Sequence, residues 1–197
     1  SDLIQQLDPT LMSSLLRLTT DEYDRMVNKG AFDDLDRKVE LLRGEVQTMN
    51  PAGPVHDDTI EYLTDWSKNN ADRNKVRVRV QSGLSLPEFD SRPEPDIAWV
   101  KARRYLDRHP GATDVLLLIE VADSSLAIDK TLKAELYAKA GIVEYWVVNT
   151  IDQLIHIHRD PDRDGYRTLT TVTPGETASP LAEPEANLNV SDLFGLS

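Results

Sequence analysis

An uninterrupted apolar run in the middle of the chain predicts a strand that is buried on both faces. Residues 116–121 read Leu-Leu-Leu-Ile-Glu-Val, so Glu120 alone breaks the apolar pattern. Continuous runs of this kind are typical of strands whose sheet is covered on both sides. A buried carboxylate is costly unless a metal, a cation or hydrogen bonds compensate it. Glu120 is therefore either a satisfied structural acid or a ligand.

The periodicity changes after this strand and predicts a strand, helix and strand in succession. Residues 123–125 are all suitable N-caps for a helix over 126–140, and Gly141 stands where a helix C-terminal glycine belongs. Residues 144–149 form an aromatic and β-branched run that is typical of a strand. This order favours a parallel pair of strands joined by a right-handed crossover.

The predicted helix places a lysine beside its buried stripe. The stripe consists of apolar residues spaced by four, namely Ile128, Leu132, Leu136 and Ala140. At about 100° per residue, Lys133 lies on the flank of this stripe, whereas Lys130 points away from it. Lys133 can therefore run its methylene groups along the sheet and bring its ammonium back toward Glu120.

Other segments show the periods of helices and strands around this unit. The predicted helices lie within 3–18, after a capping box at 19–22, and after His56 with Ile60, Leu63 and Trp66 on one side. The predicted strands are a hairpin within 36–49 that turns at Arg43-Gly44, an alternating edge strand at 75–81, a strand at 97–100, and a hairpin of 154–159 with 166–171.

The length of 197 residues favours one domain over the whole chain. We expect a helical N-terminal segment over 1–35, a core over 36–171 and a C-terminal wrap over 172–197. The fold class expected is α/β, with a C-terminal hairpin.

The charge of the chain limits the kind of partner it can hold. The 22 basic and 34 acidic residues give a net charge of -12, which disfavours nonspecific binding of duplex DNA over a broad surface. The absence of cysteine excludes disulfides and thiolate chemistry. No apolar run approaches the roughly 20 residues of a membrane span, and the first residues lack the order of a signal peptide. We expect a cytoplasmic protein with no membrane partner.

Three residues form the candidate chemistry of the chain. Pro95 favours an extended backbone and delivers Asp96 at the start of a strand, and antiparallel pairing with the next strand would set Asp96 beside Glu120. Two adjacent carboxylates suit a hard cation such as Mg²⁺, which lowers the pKa of a bound water and neutralises a phosphoryl group. Lys133 would then orient or deprotonate the water, or stabilise the oxyanion.

The histidines carry weaker signals. His56 precedes a helix and is interpreted as a local hydrogen-bonding or capping group. His156 and His158 share one face of a strand and could chelate a metal, but no third ligand stands nearby. We interpret that face as exposed.

Three motifs together resemble one family of nucleases. The first reads Glu-Pro-Asp-Ile-Ala-Trp-Val at 94–100, and the second reads Leu-Leu-Leu-Ile-Glu-Val-Ala-Asp-Ser-Ser-Leu at 116–126. The third is the segment 129–149, which contains Lys133, Tyr137 and Trp146. The set is similar to the Uma2 family of endonucleases, within the PD-(D/E)XK superfamily of restriction-endonuclease-like folds. The likeness runs from about residue 19 to about residue 171 and includes Val-Glu-Leu-Leu-Arg-Gly-Glu at 39–45 and His56.

The resemblance implies a fold, a cofactor and a set of site residues. It implies a restriction-endonuclease-like mixed sheet flanked by helices, with Asp96 and Glu120 as ligands of Mg²⁺ and Mn²⁺ as a substitute. Glu45 is the implied additional acid, and nucleic acid, DNA in the first instance, is the implied substrate. Ala122 stands where the superfamily has its usual lysine, and Lys133 matches the place to which the family has moved it. Cutting both strands would favour a homodimer.

Other interpretations stay open at this point. The candidate residues can also have purely structural roles: Asp96 as a strand-entry acid, Glu120 with Lys133 as a buried ion pair, and Glu45 as a turn residue. The protein would then be a binding module for nucleic acid or protein that keeps the nuclease fold without turnover. A dinucleotide-binding domain ranks last, because no glycine-rich turn precedes a suitable helix.

Overall fold

A six-stranded mixed sheet organises the fold. The structure is a computed structural model that describes residues 15–49, 51–123 and 125–196. The strands of the sheet lie in the order β3-β4-β5-β6-β7-β8, and β5 and β6 are parallel while the other neighbours are antiparallel. The parallel pair predicted from the strand, helix and strand pattern is confirmed.

The described residues form ten β-strands. They are β1 (Val39–Leu42), β2 (Glu45–Thr48), β3 (Val76–Val80), β4 (Ile97–Lys101), β5 (Val115–Ala122), β6 (Glu144–Asn149), β7 (Leu154–Asp162), β8 (Gly165–Val172), β9 (Thr177–Ala178) and β10 (Leu188–Asn189) among the described residues. The hairpins β1–β2 and β7–β8 and the edge strand β3 are confirmed. The last hairpin extends into the predicted loop and turns at Arg163-Asp164.

Helices cover both faces of the sheet. They are α1 (Thr20–Asn28), α2 (Pro54–Asn70), α3 (Leu126–Ile128), α4 (Ala134–Lys139) and α5 (Val190–Leu193), and a π-helical segment (Asp129–Lys133) joins α3 to α4. The predicted capping box is confirmed at α1, because Thr19 and Glu22 each accept a hydrogen bond from the other's backbone N–H. The helical pattern predicted before residue 15 lies outside the described residues.

Alternate residues of the strands pack into two separate cores. On one face, Trp66 of α2 contacts the rings of Trp99 and Trp146, with centroid separations of 5.6 and 6.0 Å. On the other face, Leu136 and Tyr137 of α4 cover the sheet. All residues of β5 except Leu116 are buried, as the apolar run predicts.

Two predictions about exposure are wrong. His156 and His158 are 8% and 6% exposed, because α4 packs over β7 and β8, and the ring of His158 lies between those of Tyr145 and Tyr166. Ile128, expected in the buried stripe, is 44% exposed.

The last part of the described chain returns to the sheet. The short strands β9 and β10 pair with each other, and Val190 and Leu193 of α5 are buried in the core beneath α2. Within the residues the structure describes, no helix is long and apolar enough to cross a membrane.

Candidate active site

Antiparallel pairing of β4 with β5 brings two carboxylates together. Asp96 directly precedes β4, and the register pairs Ile97 with Ile119, so Glu120 lies across from Asp96. The backbone N–H of Asp96 donates to Glu120 Oε2 at 3.3 Å, and that of Val121 donates to Asp96 Oδ2 at 2.8 Å. Both acids are buried. The structure therefore brings together the first two predicted site residues.

The ammonium group of Lys133 joins this pair. Its Nζ lies 3.1 Å from Glu120 Oε1, 3.1 Å from Glu40 Oε1 and 3.5 Å from Asp129 Oδ1. Lys133 is 6% exposed. An ammonium has three protons to donate, so three carboxylates satisfy it fully.

The π-helical segment explains how Lys133 becomes buried. A π turn contains about one residue more than an α turn, and it shifts the phase of the residues on either side. Ile128, one residue before the segment, points to solvent, whereas Asp129 and Lys133 both face the sheet. Tyr145 fixes the segment, since its hydroxyl donates to the carbonyl oxygen of Asp129 at 2.9 Å.

Glu40, and not Glu45, is the acid that the first hairpin supplies to this group. Glu40 on β1 is buried, and its Oε2 accepts a hydrogen bond from the N–H of Glu94 at 3.1 Å. Glu45 begins β2 on the far side of the turn. Its side chain is half exposed and forms an ion pair with Arg17 at 2.8 Å. The structure does not bring Glu45 to Asp96 and Glu120.

His56 also reaches the group, from the first turn of α2. Its Nε2 lies 3.6 Å from Asp96 Oδ2. Hydrogen bonding to Asp96 raises the pKa of the imidazole, although partial burial opposes this shift. The histidine that the sequence marks as a local capping group therefore contacts the first of the candidate ligands.

The group carries an excess of negative charge. Three carboxyl groups, those of Glu40, Glu120 and Asp129, contact the ammonium of Lys133, and a fourth, that of Asp96, lies beside Glu120. Burial raises the pKa of Glu120 well above its ordinary value, although the neighbouring ammonium opposes this. Burial likewise raises the pKa of Asp129. The site therefore has a physical need for a further positive charge or a proton.

Lys133 and Tyr137 keep their protons in this setting. Burial works against the charge of Lys133, but the surrounding carboxylates, Glu120 above all, raise its pKa well above the ordinary value. Burial also raises the pKa of Tyr137, whose hydroxyl donates to Glu120 Oε1 at 3.3 Å. Glu120 Oε1 thus has two donors directed at it.

A cavity of about 410 Å³ opens onto these side chains. Glu40, His56, Asp96, Glu120, Asp129 and Lys133 form its acidic floor, and Arg37 and Lys38 stand at its exposed rim. Along the described ranges of the chain, no group of three or more histidine or acidic side chains is arranged so that it could hold a metal ion. Mg²⁺ does not require one, because it is usually held by one or two carboxylates with water and substrate oxygens completing the shell. The oxygen donors and the excess negative charge fit such an ion.

The sequence contained signals for the residues that its interpretation missed. Glu40 lies in the apolar segment Val-Glu-Leu-Leu, the same kind of context that marked Glu120. Asp129 precedes Lys133 by four residues, which is the spacing of a helical ion pair. Tyr137 follows Lys133 by four as well, so the two side chains share a helix face, but no sequence pattern shows that its hydroxyl reaches Glu120.

Comparison with known proteins gives a family match and a fold match. The model of the Uma2 family, described as "Putative restriction endonuclease", matches residues 20–191. A search of curated proteins found no match. The chain is similar in structure to a protein from Anabaena variabilis ATCC 29413, described as a putative nuclease belonging to DUF820, with a TM-score of 0.71 at 15% sequence identity. The match covers 91% of this chain and 98% of that one, and it shows the fold.

Proposed function

Because the chain belongs to the Uma2 family, we propose that it is a metal-dependent endonuclease that hydrolyses phosphodiester bonds of DNA. The observation that carries the proposal is the meeting of Asp96, Glu120 and Lys133 at the floor of one cavity. The excess of buried carboxylates over cations there favours a site that takes up a divalent ion over a closed structural ion pair.

In this proposal Asp96 and Glu120 hold Mg²⁺, and Mn²⁺ can replace it. Every contact found for the Asp96 carboxylate within the described part of the chain uses Oδ2, which leaves Oδ1 for a ligand. A bound divalent ion lowers the pKa of a water ligand and neutralises charge on a phosphoryl group.

Lys133 and His56 have supporting roles in the proposal. The ammonium of Lys133 either orients the attacking water or stabilises the negative charge that develops on the phosphoryl oxygens. His56 Nε2, 3.6 Å from Asp96 Oδ2, helps to fix the orientation of that carboxylate. Arg37 and Lys38 at the rim of the cavity offer positive charge to the incoming phosphodiester.

Cleavage of supercoiled plasmid DNA tests the proposal. We expect nicked or linear product with Mg²⁺ or Mn²⁺ and none with EDTA, and we expect Glu120→Ala to abolish the product because it removes a ligand and the partner of Lys133. Glu61→Ala, on the exposed side of α2, is the matched control and should cleave like the parent. Equal cleavage by the parent and Glu120→Ala would refute the proposal.

One observation favours a second candidate, a binding module that keeps the nuclease fold without turnover. Lys133 already has a carboxylate partner for each of its three protons, and Ala122 stands where the superfamily has a lysine. Calorimetric titration with Mn²⁺ separates the two candidates. A module would show no metal uptake, and Asp96→Asn would leave its heat signal unchanged, whereas the nuclease binds the ion and loses it in that variant.

A further inference from the structure

We propose that a basic groove beside the free edge of β3 binds backbone phosphates of DNA at a distance from the candidate active site. This inference rests on the proposed function, because it assigns the path of that function's substrate. The groove has a volume of about 440 Å³ and lies between the end of α2, the outer strand β3 and the segment that follows β4.

The lining of the groove is strongly cationic. No acidic side chain contributes to it, and more than half of its residues are basic, namely Lys68, Arg73, Arg77, Arg103 and Arg104. All five are exposed. In a chain with a net charge of -12, a concentration of this kind does not follow from composition.

Most of these cations have no carboxylate partner. Lys68, Arg73 and Arg104 form no ion pair with any residue the structure describes, and the side chain of Arg77 donates to the carbonyl oxygen of Arg103 at 3.1 Å. Only Arg103 approaches an acid, Asp114, at 4.0 Å. Uncompensated cations repel one another, so an arrangement of this kind is suited to a polyanion that neutralises several at once.

The aromatic ring of Tyr105 holds part of this surface in place. The guanidinium of Arg103 lies 4.5 Å from the ring centroid, and those of Arg79 and Arg108 lie 5.6 and 5.9 Å away. Such cation–π contacts reduce the freedom of the long side chains. The groove therefore presents charge in a partly fixed arrangement.

The register of the sheet places one residue of the groove, Arg77, on the face that carries the candidate active site. Arg77 pairs with Val100 and Arg79 with Ala98, and residues directly opposite one another project from the same face. By the period of two, this is also the face from which Asp96 projects. Arg77 therefore lies on the same face as the carboxylates, whereas Val76 and Val78 of the groove face the core beneath α2. The groove thus lies around the free edge of β3 and reaches the active-site face at Arg77.

The separation suits a nucleic acid better than a free anion. The groove reaches Ala102, just beyond the end of β4, and Asp96 precedes the start of that strand, so six residue steps of roughly 3.3 Å each separate them along the strand. One DNA strand advances about 3.4 Å per nucleotide. The groove is therefore about six nucleotides from a phosphodiester at Asp96.

Salt-dependent binding of a duplex tests this assignment. A labelled duplex of about 30 base pairs is titrated in EDTA, and the parent is compared with Arg77→Ala/Arg104→Ala. The plot of log affinity against log salt should lose about two units of slope, since each phosphate contact contributes about 0.9, and affinity near 0.1 M salt should fall at least tenfold. Arg25→Ala/Arg163→Ala removes the same charge at exposed sites outside both cavities and should bind like the parent.

The outcomes separate this inference from the proposed function. Unchanged slope and affinity in the groove variant, or no binding of the duplex by the parent, would overturn the inference, even if the parent cleaves plasmid in a Glu120-dependent manner. If the groove variant loses binding while the parent binds the duplex but never cleaves plasmid, the groove is a DNA-binding surface. The same result would refute the proposed nuclease activity. Polyglutamate that displaces the duplex as well as unlabelled DNA does would show a surface for acidic proteins and contradict the assignment.

Discussion

The charge around Lys133 makes the candidate site sensitive to pH. The folded protein holds Glu120 in a buried position beside other carboxylates, and burial raises its pKa well above the value of about 4.3 found in unfolded chains. A raised carboxyl pKa means that the folded state binds the proton more tightly than the unfolded state does. Its contribution to stability is therefore complete at low pH and is lost as the pH rises.

This linkage predicts a pH-dependent loss of stability that a divalent ion reverses. In metal-free buffer, thermal melts from about pH 5 to about pH 8 should show the parent losing stability relative to Glu120→Gln, which has no proton to lose. Mg²⁺ should raise the melting temperature of the parent more at pH 8 than at pH 5, because the ion competes with that proton. Parallel pH profiles for the parent and Glu120→Gln would contradict the account.

Two glutamates on the first hairpin provide a second test at this scale. Glu40→Gln should lower plasmid cleavage at least about tenfold, because Glu40 contacts Lys133 at 3.1 Å and the variant weakens the ion pair that holds the ammonium in place. Glu45→Gln should stay within about twofold of the parent, because an exposed pair such as that with Arg17 has little energetic weight. The reverse ranking of the two variants would restore the role that the sequence motif implied for Glu45.

Single residues were predictable where a strong local pattern marked them. Asp96 follows a proline at the start of a strand, and Glu120 interrupts an apolar run, so both stood out in the sequence. Glu40 also interrupts an apolar segment, but the family motif pointed to Glu45, and only the tertiary packing of β1 shows that Glu40 is the buried acid. The role of each in catalysis stays a prediction.

At the level of elements, the π-helical segment is the feature that assembles the site. Strands and helices followed from period and from capping residues, and β5, β6 and the cap of α1 are confirmed. A π turn of five residues is too short to change the hydrophobic periodicity of the sequence, so the pattern does not reveal its extra residue. Ile128 was therefore expected in the core and is exposed, while Asp129 takes a buried place.

Shortening this segment tests its importance. Deleting Thr131, which is exposed, should convert the π turn to an α turn and rotate α3 and Asp129 by about 100° relative to α4 and Lys133. Either Asp129 or Lys133 then leaves the cluster, and cleavage should fall about a hundredfold or more. Thr131→Ala keeps the length and should cleave within about twofold of the parent. A folded deletion variant, judged by its thermal melt, that cleaves normally would contradict this account.

For the whole molecule, the family and the mixed sheet flanked by helices were recognisable from the sequence, and both are confirmed. Three motifs distributed over the chain carried the recognition, although the sequence identity to the Anabaena protein is only 15%. What the sequence did not predict depends on how elements pack. The burial of His156 and His158 follows from α4 lying across β7 and β8, which no local pattern along those strands reveals.

The most direct test of the central claim is a crystal structure with Mn²⁺, located by its anomalous scattering. The account predicts a peak at the floor of the cavity, with oxygen ligands from Asp96 and Glu120 and with Lys133 beside them. The same crystal of Asp96→Asn should lack the peak. An ion bound elsewhere, or a parent crystal without a peak between these two carboxylates at saturating Mn²⁺, would contradict the claim that this cluster is a metal-dependent hydrolytic site.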